Sequence, residues 1–207
     1  MVKYLFFVIF FFLSNNSFCQ VDTVIDCGVY KSYFDYETLQ PLYVSYKLYK
    51  GGGKCSRDKF RFKNDTKIKM ADLNDYDKSG YDMGHLANAA DFAFDCEKDE
   101  KTFRFYNCLP QYPNLNRGIW KKWETKIREV SQSDSLLILC GGVFSNKKIK
   151  PGSNVGVPDQ CWKIVYSLSK SKPIYVLWFE NISKATHSEL DLNQLLSKLP
   201  YSINLPK

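Results

Sequence analysis

Short apolar runs of strand length constrain the fold of this chain more than any other feature. Residues 136–140, 162–168 and 174–179 are such runs, and they predict central β-strands. Residues 42–49 instead alternate between an apolar and a more polar face, which predicts a strand exposed on one side, and the glycines at 51–53 end it. Strands and helices that follow one another without a repeat predict one α+β domain.

Two helices accompany these strands. Apolar side chains recur at intervals of four, four, four and three over residues 115–130, which predicts one amphipathic helix. Its apolar residues are Leu115, Ile119, Trp123, Ile127 and Val130. A closing helix is predicted over residues 188–199, capped by Thr186 or Ser188 and ended by Pro200. With 44% hydrophobic and 25% charged residues, the composition excludes intrinsic disorder.

The segment between residue 53 and the long helix has little regular pattern. Residues 54–80 are polar and rich in Lys, Asp and Asn, so we expect a long functional loop rather than core. A short strand is predicted at residues 102–106, between this loop and the helix.

The N-terminus has the features of a secretory signal peptide. Lys3 precedes ten apolar residues, 4–13, and a small-x-small end follows at 17–19. Ten residues are too few to span a bilayer as a helix, and the alternative is a buried core helix. We therefore expect a signal peptide at residues 1–19, a single domain at 20–207, a secreted or periplasmic location, and no membrane association after cleavage.

Removing residues 1–19 takes away one lysine and one cysteine, so the formal charge of +7 becomes +6. Six cysteines remain, and an even number in an exported chain predicts structural disulfides, with the pairing left open. They are Cys27, Cys55, Cys96, Cys108, Cys140 and Cys161. A zinc site is disfavoured because the chain has no C-x-x-C pair and only two histidines.

His85, Asn116 and Glu124 form the strongest chemical pattern. A strand that ends in His85, a second strand and a helix that carries Asn116 and Glu124 two turns apart would make a compact ββα unit. Such a unit places an imidazole base opposite an oxygen ligand for a hard divalent cation. Phosphodiester hydrolysis needs both parts.

Three sequence segments share this order with a known family. Residues 80–87 read GYDMGHLA, residues 107–111 read NCLPQ and residues 115–124 read LNRGIWKKWE. Together they resemble the DNA/RNA non-specific endonucleases, the ββα-metal nucleases of the Serratia nuclease and endonuclease G type. The resemblance implies a central antiparallel sheet flanked by helices, with a ββα-metal finger that carries the active site.

The resemblance also implies roles for individual residues. His85 would be the general base, and Asn116 the one direct protein ligand of Mg²⁺, with Mn²⁺ as the alternative. Glu124 would hold a water of the ion's hydration shell. Asn107 would position His85 or the phosphate, and Asp82 would brace the His-bearing turn.

Arginines and lysines would complete the site. The resemblance implies a phosphate-binding arginine in the upstream loop, which is Arg57 or, as the second choice, Arg61. Arg61, Arg117 and Lys121 would also bind substrate, because a basic surface attracts a polyanion without base selectivity.

Two positions depart from the family pattern. Met83 stands where the family has arginine in Asp-Arg-Gly-His, and Asn88 stands where proline is common. Loss of one phosphate contact costs roughly 2–4 kcal/mol of transition-state stabilisation if nothing replaces it.

The expected function from the resemblance is a metal-dependent, sequence-nonspecific endonuclease on DNA and RNA. The alternatives are an impaired nuclease-fold protein that binds a polyanion, and a cysteine-braced interaction protein.

Overall fold

A seven-stranded antiparallel sheet and a separate two-stranded sheet form the scaffold of the computed structural model, which describes residues 20–206. The predicted signal peptide lies outside the described residues. The strands are β1 Thr23–Asp26, β2 Lys31–Asp35, β3 Gln40–Leu48, β4 Asp82–His85, β5 Cys108–Gln111, β6 Leu136–Lys148, β7 Gly156–Ser167, β8 Lys172–Glu180 and β9 His187–Glu189.

The order of the large sheet is β1-β2-β3-β6-β7-β8-β9, so β3 and β6 are neighbours although residues 49–135 separate them in sequence. Leu48 and Leu136 are direct cross-strand partners, and the chain therefore leaves the sheet and returns to it at one point. The two-stranded sheet of β4 and β5 lies within this excursion. This arrangement confirms the predicted α+β class with a central antiparallel sheet.

Helices occupy the excursion and the C-terminus. They are α1 Leu73–Tyr76, α2 Cys96–Lys101, α3 Lys121–Val130 and α4 Leu192–Lys198, with a π-helical segment, Leu115–Trp120, directly before α3. The predicted helix over 115–130 is thus present, with non-helical backbone at Gly118. Within residues 20–206, no helix combines the length and apolar composition required to cross a lipid bilayer.

The predicted one-sided exposure of β3 is only partly correct. Leu42 and Val44 are fully buried on the expected face, but Tyr43 on the opposite face is also buried, at 1% exposure. Its ring stacks on Tyr33 at 4.1 Å and on Tyr201 of the C-terminal segment at 6.1 Å. The second face is therefore covered by aromatic rings that alternation alone cannot indicate.

β3 ends at Leu48, just before the three glycines as predicted, and Gly53 allows a close approach of two chain segments. Its φ is +129°, and a β-carbon at this position would lie 2.1 Å from the carbonyl group of Ala93. Any larger residue would push the two chain segments apart.

The strand predicted at residues 102–106 is wrong. α2 ends at Lys101, and a 3₁₀ turn follows at Phe105–Asn107, so the strand begins only at Cys108. Arg104 turns the chain here, because its guanidinium donates to the carbonyl oxygens of Glu100 and Phe103. The alternating phenylalanines imitate a strand pattern although they pack in a turn.

The closing helix begins later than predicted. Ser188 lies in β9, where it pairs with Trp178, and α4 is capped by Asp191 rather than by Thr186 or Ser188. Asp191 and Gln194 form a reciprocal capping box, which satisfies the free amides of the first turn.

Disulfide pairing is less extensive than predicted. In the described part of the chain, Cys55 and Cys96 are bonded, which ties the long loop to α2. The other four cysteines are unpaired thiols: Cys27, which is partly exposed, and the buried Cys108, Cys140 and Cys161. The buried three act as small core side chains.

Candidate active site

A two-stranded antiparallel finger, β4 with β5, carries His85. His85 is the last residue of β4 and lies opposite Cys108 of β5. The strands approach closely because Gly84 has no side chain: a β-carbon there would lie 2.1 Å from Oε1 of Gln111. The π-helical segment and α3 come next along the chain, so the unit has the predicted ββα order.

Asn107 fixes the chain immediately after His85. Its Nδ2 donates to the carbonyl oxygens of Ala87 at 2.9 Å and Thr102 at 2.8 Å, and its Oδ1 accepts from the amide of Ala87 at 2.8 Å. The side chain is fully buried. These contacts are those of a positioning residue, while the phosphate contact considered for Asn107 stays a prediction.

Asp82 holds the start of the helical part rather than the turn at His85. Its carboxylate accepts from Nδ2 of Asn116 at 3.0 Å and from Nε and Nη2 of Arg117 at 2.8 and 2.6 Å. Partial burial raises the pKa of Asp82, but the hydrogen bonds from Arg117 and Asn116 outweigh it, and the pKa lies below its ordinary value. With Nδ2 engaged, Oδ1 of Asn116 is left as an acceptor.

One open cavity of about 320 Å³ brings the predicted catalytic residues and the predicted metal ligand together, except for the buried Asn107. It contains His85 from β4, Asn116 from the π-helical segment, Glu124 from α3 and Arg57 from the long loop. The full lining is Arg57, His85, Asn88, Ala89, Ala90, Phe103, Asn116, Arg117, Lys121, Glu124, Thr125 and Arg128.

His85 is held as a neutral imidazole. Burial, and then the charge of Arg57, lower its pKa to about 3. Its Nε2 atom is buried and has no hydrogen-bond partner among residues 20–206. The ring packs between Phe62 and Phe103, each 4.8 Å away, and the indole nitrogen of Trp120 donates to the carbonyl oxygen of His85 at 3.2 Å.

The two candidate loop arginines lie in different places. Nε of Arg57 donates to both carboxylate oxygens of Asp99 in α2, at 2.8 and 3.1 Å, and Arg57 lines the cavity. Arg61 lies outside the cavity, and its guanidinium donates to the carbonyl oxygens of Asp58 and Phe60. The cavity geometry therefore supports Arg57 as the phosphate-binding arginine.

Glu124 is a buried carboxyl group on the cavity wall, with 8% exposure. Burial raises its pKa to about 7, and the charge of Asp91 adds to this increase. Lys163, a hydrogen bond with Asn88 and the charge of Arg128 oppose it. A carboxyl group with these neighbours changes its charge near neutral pH.

Arg128 and Asn88 are two cavity residues that the sequence prediction missed. Arg128 donates to Oδ1 of Asp91 at 2.9 Å and to Oδ1 of Asn88 at 3.1 Å. The spacing could have revealed Arg128, because it lies one helical turn after Glu124. Asn88 also caps the following 3₁₀ turn by accepting from the amide of Ala90, so the departure from proline adds two hydrogen bonds.

Met83 pairs with Pro110 in the finger and packs partly buried against the core. It brings no charge to the cavity. Arg57, Arg117, Lys121 and Arg128 all line that cavity, so positive charge reaches it from four other positions. These are the side chains that can compensate for the missing arginine.

The donor set in the cavity fits a hydrated divalent cation. Within residues 20–206, no group of three or more His, Cys, Asp or Glu side chains could hold a metal ion, which disfavours a zinc-type site. Asn116 and Glu124 offer one carboxamide and one carboxylate on the same cavity. Mg²⁺ retains most of its waters when so few protein oxygens are present, and Mn²⁺ accepts the same ligands.

Comparison with known proteins identifies the family. The family model for DNA/RNA non-specific endonucleases matches residues 14–195. The chain belongs to the DNA/RNA non-specific endonuclease family. Its fold agrees with this assignment: the crystal structure of the EndoG/EndoGI complex superposes with a TM-score of 0.72 at 22% identity, covering 85% of this chain and 83% of that chain.

Several members of the family are similar in sequence. A nuclease of Nostoc sp. is 43% identical over 94 residues, which is 45% of this chain and 34% of the relative. Nuclease 1, mitochondrial, of Schizosaccharomyces pombe is 30% identical over 164 residues, or 70% of this chain and 51% of the relative. Human endonuclease G, mitochondrial, is 37% identical over 68 residues. The matched regions thus span about half or less of these relatives.

Proposed function

We propose that this chain is a secreted, divalent-metal-dependent endonuclease that hydrolyses phosphodiester bonds of DNA and RNA without sequence specificity. The observation that carries the proposal is the single cavity that joins His85, Asn116 and Glu124 to three arginines. Secretion is supported by the apolar run at residues 4–13, and N-terminal sequencing of the exported protein tests it.

His85 serves as the general base. The imidazole is neutral at physiological pH, so Nε2 has a free lone pair for a proton of the attacking water. The negative charge of a bound phosphate raises the pKa of His85 from its low value toward the range that suits a general base. That atom is free for this purpose, since it has no hydrogen-bond partner among the described residues. Asn107 and Trp120 maintain its position through the adjacent main chain.

Asn116 and Glu124 are the residues that would hold the metal ion, Asn116 through its Oδ1 atom and Glu124 through a water. When bound, Mg²⁺ or Mn²⁺ supplies positive charge for the phosphate and for the leaving oxygen. Asp82 keeps Asn116 in its rotamer, and this contact is in place in the protein alone.

Arg57, Arg117 and Arg128, with Lys121, form the phosphate-binding part of the cavity. All three arginines are anchored by buried or partly buried aspartates: Arg57 by Asp99, Arg117 by Asp82 and Arg128 by Asp91. Anchored guanidinium groups lose little freedom when a phosphate binds, and contacts to phosphate carry no sequence information. This matches sequence-nonspecific cleavage.

Met83 favours one second candidate, a nuclease-fold protein that binds nucleic acid without turnover. Its side chain replaces a charged family residue with an apolar one. This candidate predicts salt-sensitive DNA binding and no cleavage under any metal condition.

Cleavage assays with supercoiled plasmid and with an RNA transcript, in Mg²⁺ or in EDTA, distinguish the two candidates. We expect cleavage in Mg²⁺ only, and its loss in His85→Ala and Asn116→Ala. His187→Ala is the matched control, because His187 is the second histidine and stacks on Phe179 away from the cavity. Equal cleavage by wild type and His85→Ala would refute His85 as the base, and tight binding without cleavage would favour the second candidate.

A further inference from the structure

Lys163 is a lysine enclosed in the protein core. It lies in the middle of β7, opposite Cys140 of β6 and Leu177 of β8, and its exposure is 0%. Lysine is almost never fully buried unless its charge is paired. The position therefore needs a physical explanation.

The surroundings of the Lys163 ammonium are mostly apolar. Nζ lies over the ring of Trp120, 4.3 Å from its centroid, and has no hydrogen-bond partner of good geometry within residues 20–206. Its charge acts on Glu124, Asp91 and Cys140. The thiol of Cys140 is an example: burial raises its pKa to about 11, and Lys163 limits that increase.

Hydrogen bonds do not explain this lysine. Desolvation of an ammonium costs several kcal/mol, which only charged or hydrogen-bonded partners can offset. The acidic groups near Lys163 are therefore the partners that offset the cost of its burial.

Both neighbours of the ammonium lead into the nuclease cavity. The indole of Trp120, whose face covers Nζ, donates to the carbonyl oxygen of His85. Glu124, whose charge Lys163 offsets, is part of the cavity wall. Lys163 thus lies behind both the base and the acidic residue of the site.

Several polar and charged groups surround Glu124, and Lys163 is the cation among them that is not already bound to another acid. The groups that face it are Asp91 of the 3₁₀ turn, Arg128 of its own helix, Asn88, Tyr46 of β3, Cys140 of β6 and Lys163 of β7. Arg128 is already bound to Asp91 at 2.9 Å. Lys163 is the cation that remains for Glu124, and without it this buried group of two acids and two bases has an uncompensated negative charge.

We propose that Lys163 is a positioning residue of the nuclease site, which supports the Trp120 ring and offsets the charge of Glu124 from inside the core. The inference rests on the proposed function, because it assigns a task to Glu124 in metal binding. Lys163 itself touches neither substrate nor metal.

Mn²⁺ binding, measured by calorimetry on the full chain, tests the proposal through a double-mutant cycle. Lys163→Met should unfold at a lower temperature than the wild type, because it leaves two buried acids with one cation, and should bind Mn²⁺ about tenfold more weakly. Glu124→Gln should weaken Mn²⁺ binding as well. The double variant should bind no more weakly than Glu124→Gln alone, because Lys163 acts through Glu124.

Val165→Ala is the matched control. Val165 is fully buried on the same face of β7, two residues further along, so this variant perturbs the core without changing its charge. We expect it to lose stability and to retain wild-type Mn²⁺ affinity. If Lys163→Met does not fold, Lys163→Gln replaces it in the cycle.

Two results would overturn the proposal. One is a folded Lys163→Met with wild-type Mn²⁺ affinity, and the other is a double variant whose losses multiply. An error in the proposed function would give a different result. The wild-type protein itself would then neither bind Mn²⁺ nor cleave nucleic acid, and both proposals would be wrong.

Discussion

The side-chain amide of Asn116 donates a hydrogen bond of 3.0 Å to the carboxylate of Asp82, which joins the π-helical segment to the two-stranded finger. The same carboxylate binds Arg117 through two further hydrogen bonds. Asp82 therefore orients a candidate metal ligand and a candidate phosphate ligand at once, although its own side chain is not part of the cavity lining.

Replacement of Asp82 should weaken metal binding. In Asp82→Ala the amide of Asn116 is free to rotate, and loss of such an orienting partner costs about 10–100-fold in metal affinity. Calorimetric titration with Mn²⁺ measures the change. Asp77→Ala, which removes an exposed carboxylate at the end of α1, is the control and should bind like the wild type. Unchanged affinity in Asp82→Ala would show that Asn116 is held by other contacts.

A charged residue at position 83 should increase the rate of cleavage. Met83 and His85 lie on the same face of β4, since they are two residues apart, so an arginine at position 83 can reach toward the phosphate. We expect Met83→Arg to raise kcat/KM on plasmid DNA at least about tenfold. Met83→Leu, an apolar replacement of similar volume, should stay near the wild-type value. A rate in Met83→Arg that equals that of Met83→Leu would mean that Arg57, Arg117 and Arg128 already compensate in full.

Stability should depend on pH through Glu124. Its pKa is about 7 in the folded protein and near 4.5 when unfolded, so the folded state binds more protons between these values. The free energy of unfolding therefore falls as pH rises through this window. Glu124→Gln removes that loss, and its stability relative to wild type should be about 2 kcal/mol more favourable at about pH 8 than at about pH 5.

Urea denaturation of the metal-free protein at both pH values measures this difference. The control is Glu129→Gln, an exposed glutamate of the same helix, which should show no difference between the two pH values. The opposite contribution of His85, whose lowered pKa makes stability rise with pH, is present in both proteins and cancels. A pH-independent effect of Glu124→Gln would contradict the raised pKa.

The Cys55–Cys96 disulfide should stabilise both the fold and the site. It closes a loop of 41 residues, and removal of a disulfide of this kind typically costs about 2–4 kcal/mol. Arg57 follows Cys55 by two residues and Asp99 follows Cys96 by three, so the disulfide also holds their ion pair. We expect the double Cys→Ser variant to unfold at lower urea and to have a lower kcat/KM. Cys27→Ser, which alters an unpaired thiol, should change neither.

The sequence was sufficient to predict β3, β6, β7 and β8, the helix over 115–130 and the cavity residues His85, Asn116 and Glu124, because each depends on local spacing. The edge strands β1, β2 and β9 were not predicted. The strand at 102–106 could not be predicted correctly, since Phe103 and Phe105 alternate as in a strand while Arg104 bonds the main chain into a turn. The predicted cap of α4 was wrong because several residues near the start of this helix are able to cap it, and Asp191 does so.

Contacts between residues that are far apart in the sequence could not be predicted either. Lys163 lies in an apolar run typical of a central strand, and only its zero exposure and its position over the Trp120 ring show that its charge is enclosed. The partner of Asp82 was expected in the neighbouring turn, whereas its contacts reach residues more than thirty positions away. Local spacing carries no information about such contacts.

The pairing of Leu48 with Leu136 has a consequence for engineering. Every residue that lines the cavity lies between these two positions, so the catalytic segment is attached to the sheet by adjacent ends. Segments attached in this way can be exchanged between related proteins with little disturbance to the framework. Residues 49–135 of another family member could accordingly be grafted onto this sheet, provided that the recipient keeps its buried lysine beneath the transplanted helix.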